Sequence, residues 1–565
     1  MGGEGRGQVD DVADLRAAAR RWLRDDPDAH TRAEVEALLA RGDDAALQDR
    51  FAGRLPFGTA GLRAPMGAGP LRMNRLVVRR SAAGIARWLR EDVPGAAEAG
   101  VLVAHDARHR SDLFARDCVA VLAAHGIPVV RADGPLPTPV AVFAHARLGT
   151  AAAVVVTASH NPAGDNGLKL YGPDGAQIIP PVDAAVAARI DAVADGVAEV
   201  VPAGVAPGPV RALDAAVIEA YVAAARARVP PPAAPLAVAL TPMHGVGGPL
   251  ALRLLGEAGV GPVHVVDAQW EPDPDFPTVP FPNPEEPGAT DMLAARMRAV
   301  GASLGLALDP DADRVAALVR APGGPRQLTG DETGALLAEW LLDRVTSGSD
   351  RLVVSSVVSS RLPARIAAAH GAHHRETLTG FKWLCRPAMA HPGWVQVLAY
   401  EEALGYAIGP DVRDKDGLTA ALALASMAAT LAAEGRTPLD LLDDLHRRHG
   451  AHVTGNFSVR DAAPGGAARR QALLAALVTA PPPELAGLAV AACDLPAPDV
   501  LRMEIAGDVR VVVRPSGTEP KLKCYCEARE SVGAGEPVDA ARARAAARLA
   551  RVRPALSALL VPAPA

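Results

Sequence analysis

Short apolar runs recur along the chain. Each ends in a polar loop and is followed by an alanine-rich stretch with helical spacing. VLVAHD (101–106), AAAVVVTASH (151–160), LAVALTPMHG (236–245), SLGLALDPDADR (303–314), RLVVSSVVSS (351–360) and VQVLAYEEALGY (395–406) share this form. Strand, polar loop and helix in repeated order predict α/β layers with mostly parallel sheets. In open α/β sheets, ligand sites lie in the loops that follow the strands. Ahead of these repeats, DLRAAARRWLRDD and TRAEVEALLARG predict helices. From TGNFSVRD onward the pattern changes. VLRMEIAGDVRVVVRPSGTEP predicts an antiparallel hairpin, and DAARARAAARLARV a last helix.

The expected organisation is an N-terminal helical extension (1–50), three α/β domains (51–208, 209–325 and 326–452) and an α+β domain (453–565). GVAPGPV (204–210) and VPPPAAP (229–235) flank a connecting helix in ALDAAVIEAYVAAARAR, and APGGPR (321–326) reads as a turn near a domain change. The proline-dense segment EPDPDFPTVPFPNPEEPG (271–288) is too polar for a core and reads as a surface loop.

Composition narrows the function classes. At 565 residues the chain is long enough for three to four domains. Aromatics are only 3%, so its cores must be built mainly from Val, Leu, Ile and Ala. A net charge of −6 argues against nucleic-acid and anionic-membrane partners. There is no apolar run of about 18 residues, and the N-terminus lacks the apolar core of a signal peptide. The five cysteines show no metal spacing, which fits a reducing, cytoplasmic setting.

Several loops carry candidate chemistry. In TASHNPAGDNG a strand ends at Val156 and Ser159 enters a tight turn, where a serine is either a turn-former or a nucleophile; taken alone, the turn reading prevails. DPDADR (309–314) follows an apolar strand. Its carboxylates at Asp309, Asp311 and Asp313 alternate, so an extended loop would aim them to one side. Three such carboxylates repel unless a cation sits among them, and oxygen-only ligands suit Mg²⁺ or another hard divalent ion. An EF-hand is excluded, because Arg314 and Arg320 stand where that loop needs Gly and Glu. RPSGTEPKLK (514–523) offers Arg514, Ser516, Gly517 and Thr518, either as a phosphate cradle or as a basic hairpin turn. AYEEALGY ends a strand in Glu401 and Glu402, which are acceptors for sugar hydroxyls or acids at a helix start. FGTAGLR (57–63, ending in Arg63) and TGFKW (with Lys382) are loops that could hold an anion or simply turn the chain, and HGVGG (244–248) is either an anion site or a helix start.

Lysine is scarce. Of 58 basic residues only five are lysines, namely Lys169, Lys382, Lys415, Lys521 and Lys523, and all lie in or beside these loops or the stretch RDKDG (413–417). A lysine can release its proton where its surroundings lower its pKa, which arginine cannot do. Lys169, the first of them, stands ten residues after Ser159.

In the order FGTAGLR, TASHNP, DPDADR, TGFKW, EEALGY, RDKDG, RPSGTEP, the chain resembles the α-D-phosphohexomutase family. It is most similar to the long phosphoglucomutase/phosphopentomutase type. The resemblance implies four domains around a central cleft, three of them related α/β folds with mixed sheets and the last α+β. It implies a phosphosugar mutase acting on sugar 1- and 6-phosphates, glucose first, through a phosphoserine enzyme and a bisphosphate intermediate. Phosphomannomutase, phosphopentomutase and sugar-bisphosphate synthase are the alternatives. By analogy Ser159 carries the phosphoryl group beside His160, and Asp309, Asp311 and Asp313 hold Mg²⁺ against it. Arg63 and Lys169 flank the transferring group, Lys169 as a general acid/base for the sugar hydroxyl, and Arg314 orients the site. Glu401 and Glu402 bind sugar hydroxyls, and Arg514, Ser516, Gly517 and Thr518 hold the non-reacting phosphate. The implied activator is glucose 1,6-bisphosphate or a related sugar bisphosphate, and the implied partner is a small sugar phosphate, with the enzyme a monomer or small homo-oligomer. Two positions depart from the family pattern. Phe381 stands where many members have histidine, which leaves acid–base work there to Lys382, and Ala403 stands where many have serine.

Overall fold

The computed structural model describes residues 12–58, 61–193, 200–201, 204–344, 348, 350–460, 466–516 and 521–561. They form two compact units. One holds the chain up to Gln327 together with Gly405–Ala429, and the other holds Leu328–Leu404 and the chain from Thr430 onward.

In the first unit, three helices open the described chain: α1 (Val12–Asp25), α2 (Ala29–Arg41) and α3 (Asp44–Phe51). Asp28 caps α2 by accepting from the His30 N–H at 3.0 Å, and Asp43 caps α3 through the Ala46 N–H at 3.1 Å. Leu15, Trp22, Val35, Leu38, Leu47 and Phe51 pack into the same core as the sheet that follows.

That sheet contains β1 (Leu62–Pro65), β2 (Val101–His105), β3 (Val129–Arg131), β4 (Ala152–Val156), β5 (Asp165–Tyr171) and β6 (Val210–Ala212), in the order β1-β5-β4-β2-β3-β6. The strands β2 and β4 are buried along their whole length, which accounts for their unbroken apolar runs. They run parallel, with His105 opposite Val156, so their trailing loops share one end of the sheet. The strand β5 turns back antiparallel to β4, and β1 lies antiparallel to β5. This register sets Lys169 opposite Val155, and Arg63 opposite Gly167. The strand β6 pairs with β3, so this sheet continues past 208, where a domain boundary was expected.

The second sheet has the order β11-β10-β9-β7-β8, formed by β7 (Val238–Thr241), β8 (Val263–Val265), β9 (Leu304–Leu308), β10 (Val315–Ala321) and β11 (Gly324–Gln327). APGGPR is the turn of the β10–β11 hairpin, so the boundary expected after 325 falls inside β11.

In the second unit, β12 (Arg351–Ser356) runs parallel to both β13 (His373–Thr377) and β14 (Val395–Glu401). The C-terminal sheet is antiparallel. Ala451–Arg460 pairs with Lys521–Glu530, which pairs with Val509–Pro515, which pairs with Val500–Ile505. The predicted hairpin is therefore present. The helices Gly466–Thr479 and Val538–Leu560 accompany this sheet, and Leu474, Ala545, Val552 and Leu556 pack with its strands into one core. Among the described residues no single helix is long and apolar enough to cross a membrane.

Candidate active site

Ser159 lies three residues past β4 in a backbone conformation that serine rarely adopts, with φ at +51°. Its N–H donates to Thr157 Oγ1 at 2.8 Å, and its Oγ donates to Asp309 Oδ2 at 3.0 Å. The residue is 3% exposed, too buried for an ordinary surface turn. His160 Nδ1 is 3.2 Å from the same Oγ. Burial, and then the charges of Arg314 and Arg63, push the His160 pKa well below its ordinary value, so the imidazole is neutral.

Asp309, Asp311 and Asp313 occupy the turn of the β9–β10 hairpin and are fully buried. The loop is not extended, contrary to expectation. Ala312 has φ at +58°, the Ala312 N–H bonds back to the Asp309 carbonyl at 2.9 Å, and Asp309 Oδ1 accepts from the Arg314 N–H at 3.0 Å. The carboxylates converge because the turn wraps them, and one oxygen from each lies within 4.8 Å of the others. HGVGG (244–248), read as an anion site or a helix start, leads into the helix Gly248–Glu257 and also supports this turn. The Val246 N–H donates to the Pro310 carbonyl at 2.9 Å, and a Cβ at Gly245 would meet the Pro310 backbone at 2.5 Å. Asp311 Oδ1 and Asp313 Oδ1 are buried without a hydrogen-bond partner. Buried carboxylate oxygens with no donor, in an oxygen-only cluster, fit a hard divalent cation.

The electrostatics are divided among the three acids. Burial, then Asp313 and Asp311, push the Asp309 carboxyl well above the ordinary range. Burial alone would raise Asp313 too, but Lys169, Lys415 and Arg314 outweigh it and hold Asp313 below that range. Lys169 Nζ is 2.8 Å from both Asp311 Oδ2 and Asp313 Oδ2. Burial lowers the Lys169 pKa, but these two carboxylates more than reverse it, so the net shift is upward. Lys169 is thus ion-paired with both aspartates. Arg63 Nη1 donates to Asn161 Oδ1 at 3.0 Å, which ties β1 to the serine loop. Arg314 Nη1 lies 3.4 Å from Glu285 Oε2.

The second unit carries the other candidates. Glu401 closes β14, and its Oε2 accepts from the Gly380 N–H of the TGFKW loop at 3.1 Å. Lys382 is on the short helix Phe381–Leu384 of that loop, with Phe381 buried. Glu402 Oε2 accepts from Ser356 and Ser359 at 3.3 and 3.4 Å. Arg514 sits over the Tyr525 ring, and Glu402 and Glu401 are close enough to help raise its pKa against the effect of burial and alongside Tyr525. The acidic pair and the arginine of the phosphate-type loop thus share one neighbourhood. The Ser516 N–H donates to the Lys521 carbonyl at 2.9 Å, and Gly517 and Thr518 lie outside the described residues.

Further side chains complete the site. Thr138 Oγ1 donates to Asp311 Oδ2 at 2.7 Å. Lys415 Nζ is 3.2 Å from Asp313 and 3.1 Å from Asp414, and the Tyr171 hydroxyl donates to Asp414 at 2.6 Å. Arg108 donates to carbonyls of the serine loop. Lys415 and Asp414 were legible through the rarity of lysine and the RDKDG stretch, whereas Thr138, Tyr171 and Arg108 carried no signal.

Family models for the phosphoglucomutase/phosphomannomutase alpha/beta/alpha domains I, II and III match residues 54–196, 219–323 and 329–449, and the model of that family's C-terminal domain matches 470–545. A probable phosphoribomutase of Schizosaccharomyces pombe is 37% identical over 553 residues, covering 90% of this chain and 92% of its own length. A probable phosphomannomutase of Haemophilus influenzae is 37% identical over 481 residues, covering 83% of this chain and 95% of its own. The crystal structure of a putative phosphomannomutase from Thermus thermophilus shares the fold, with a TM-score of 0.66 at 23% identity, covering 88% of this chain and 99% of its own.

Proposed function

Since the chain belongs to the phosphoglucomutase/phosphomannomutase family, whose members are isomerases that move a phosphoryl group within one molecule, we propose that it interconverts sugar 1-phosphates and sugar 6-phosphates, with glucose as the leading sugar. The observation that carries this reading is the pairing of Ser159 Oγ with Asp309 Oδ2 at 3.0 Å, beside a buried three-carboxylate cluster.

In this account Ser159 carries the phosphoryl group. Asp309, Asp311 and Asp313 would hold Mg²⁺, which supplies positive charge to the phosphate oxygens. In the first transfer the bond from phosphorus to Ser159 Oγ breaks and one to a sugar hydroxyl oxygen forms, giving a sugar bisphosphate. In the second, the other phosphate of that bisphosphate returns to Ser159. The serine proton must arrive and leave in turn, and His160 Nδ1 at 3.2 Å and Asp309 Oδ2 at 3.0 Å are the groups within reach of it. Arg63, Arg314 and Lys169 contribute fixed positive charge. Lys382 is the candidate for the proton on the sugar side, in the loop where Phe381 replaces histidine. Glu401 and Glu402 accept from sugar hydroxyls, and Arg514, Ser516, Gly517 and Thr518 take the non-reacting phosphate. A sugar bisphosphate such as glucose 1,6-bisphosphate would prime unphosphorylated enzyme.

A second reading, a pentose 1-phosphate as substrate, is favoured by the name of the S. pombe relative. Ala403, which offers no hydroxyl contact, leaves the hexose preference open to it. A panel of glucose, mannose, ribose and deoxyribose 1-phosphates, with and without glucose 1,6-bisphosphate, tests both. Turnover of none of the four would refute the mutase reading. Net release of bisphosphate from another phosphoryl donor would mark a synthase.

A further inference from the structure

The pentapeptide DARHR (106–110) follows β2 and shares a sheet end with the serine loop. Arg108 is 4% exposed, and its guanidinium runs into that loop. Nη2 donates to the carbonyls of Ser159 at 2.6 Å and Asn161 at 2.5 Å, and Nη1 to those of Pro162 at 2.8 Å and Asp165 at 3.3 Å. Only arginine presents enough donors in a rigid fork to serve four carbonyls at once. These carbonyls bracket the turn in which Ser159 is held at φ +51°. That conformation persists only where surrounding contacts over-determine it.

Arg108 is itself held from two further sides. Its own N–H donates to Asp106 Oδ1 at 3.0 Å, and that oxygen also accepts from Ser111 Oγ at 2.6 Å. Its guanidinium stands 5.0 Å from the centroid of the Phe276 ring, in the proline-dense segment 271–288. Phe276 is 3% exposed and has φ at +47°, a second strained residue at the same place. His109 Nε2 meets Asp275 Oδ1 at 2.7 Å, which fastens the two segments one residue further along.

We propose that Arg108 is a positioning residue for phosphoryl transfer: it fixes the direction of Ser159 Oγ toward Asp309. On this view Phe276 clamps Arg108, so the proline-dense segment belongs to the catalytic apparatus rather than being only a surface loop. The proposal rests on Ser159 being the phosphoryl carrier. Loss of the four-carbonyl grip lets the serine loop shift, and a displacement of about 1 Å at a reacting group costs about 100-fold in rate.

The test uses full-length Arg108→Lys, Phe276→Leu and Ser159→Ala proteins. For each, kcat and KM are measured on the best sugar 1-phosphate, together with melting temperature and bound phosphate by intact mass. Arg108→Lys should lower kcat about 100-fold with KM within about threefold of wild type. Its phosphoserine should lose phosphate to water about tenfold faster. Phe276→Leu, which keeps an apolar side chain, should lower kcat about three- to tenfold. Arg108→Lys with a lower melting temperature but wild-type kcat and phosphoserine lifetime makes Arg108 merely structural and overturns the proposal. If that variant does not fold, wild-type kcat in Phe276→Leu overturns it. Ser159→Ala that still carries one phosphate sinks the carrier reading itself, whatever Arg108 does.

Discussion

Asp331 opens the helix Gly330–Arg344 in the second unit, beneath the loop of Glu401 and Glu402. Its Oδ1 accepts from the Ser360 N–H at 2.7 Å and lies 3.4 Å from the Tyr400 hydroxyl. Burial, only partly offset by these hydrogen bonds, pushes its pKa from 3.8 up to about 6. The folded protein therefore holds this proton more tightly than the unfolded chain does. The associated stability is fully present below pH 4 and is lost as pH rises through about 6. The shift corresponds to about 3 kcal/mol, less up to about 1 kcal/mol for the favourable position of an anion at a helix start. Asp331→Asn keeps the acceptor and the size but cannot ionise. It should raise the melting temperature at pH 7.5 by about 4 °C or more and change it little at pH 4. Differential scanning calorimetry of both proteins from pH 4 to 7.5 reads this directly. An equal difference at all pH values, or a less stable variant at pH 7.5, would refute the reasoning.

Three further outcomes follow from the first unit. Lys169→Met leaves the Asp311 and Asp313 carboxylates without their closest cation, so turnover should fall at least about 100-fold and stability by about 3–5 kcal/mol, checked by a coupled assay and urea melts. Near-wild-type turnover would leave Lys169 without a role at the site. Gly61 has φ at +78°, and a Cβ there would lie 1.8 Å from the Leu168 carbonyl, so Gly61→Ala should pull β1 and Arg63 away from β5 and lower kcat at least about tenfold. Dialysis against EDTA should abolish turnover and Mg²⁺ should restore it, with Asp313→Asn raising the Mg²⁺ concentration needed for half-maximal protection in a thermal-shift titration.

The strands that position the site were legible because β2, β4, β9 and β14 are buried almost throughout and so read as continuous apolar runs. The short strands β6 and β11 were not legible, because β6 is exposed at all three residues and β11 reads GPRQ, so neither has an apolar signature. The chemistry of DPDADR was legible from residue type, but its geometry was not. Alternation suggested an extended loop, whereas the Asp309 and Arg314 backbone contacts wrap it into a turn. Lys169 was legible as unusual for its residue type, but its partners Asp311 and Asp313, more than 140 residues away in the chain, were not. Arg108 left no trace in an arginine-rich sequence, since its partners are backbone carbonyls that any residue could supply.

The central claim is that Ser159 carries the phosphoryl group. The direct measurement is to label the enzyme with ³²P-glucose 1,6-bisphosphate, digest it, locate the label, and then chase intact labelled enzyme with a sugar 6-phosphate. The account predicts one labelled phosphate on the peptide containing Ser159 and its transfer to the sugar within a turnover. Label on another residue, or label on Ser159 that does not pass to the sugar, would contradict it.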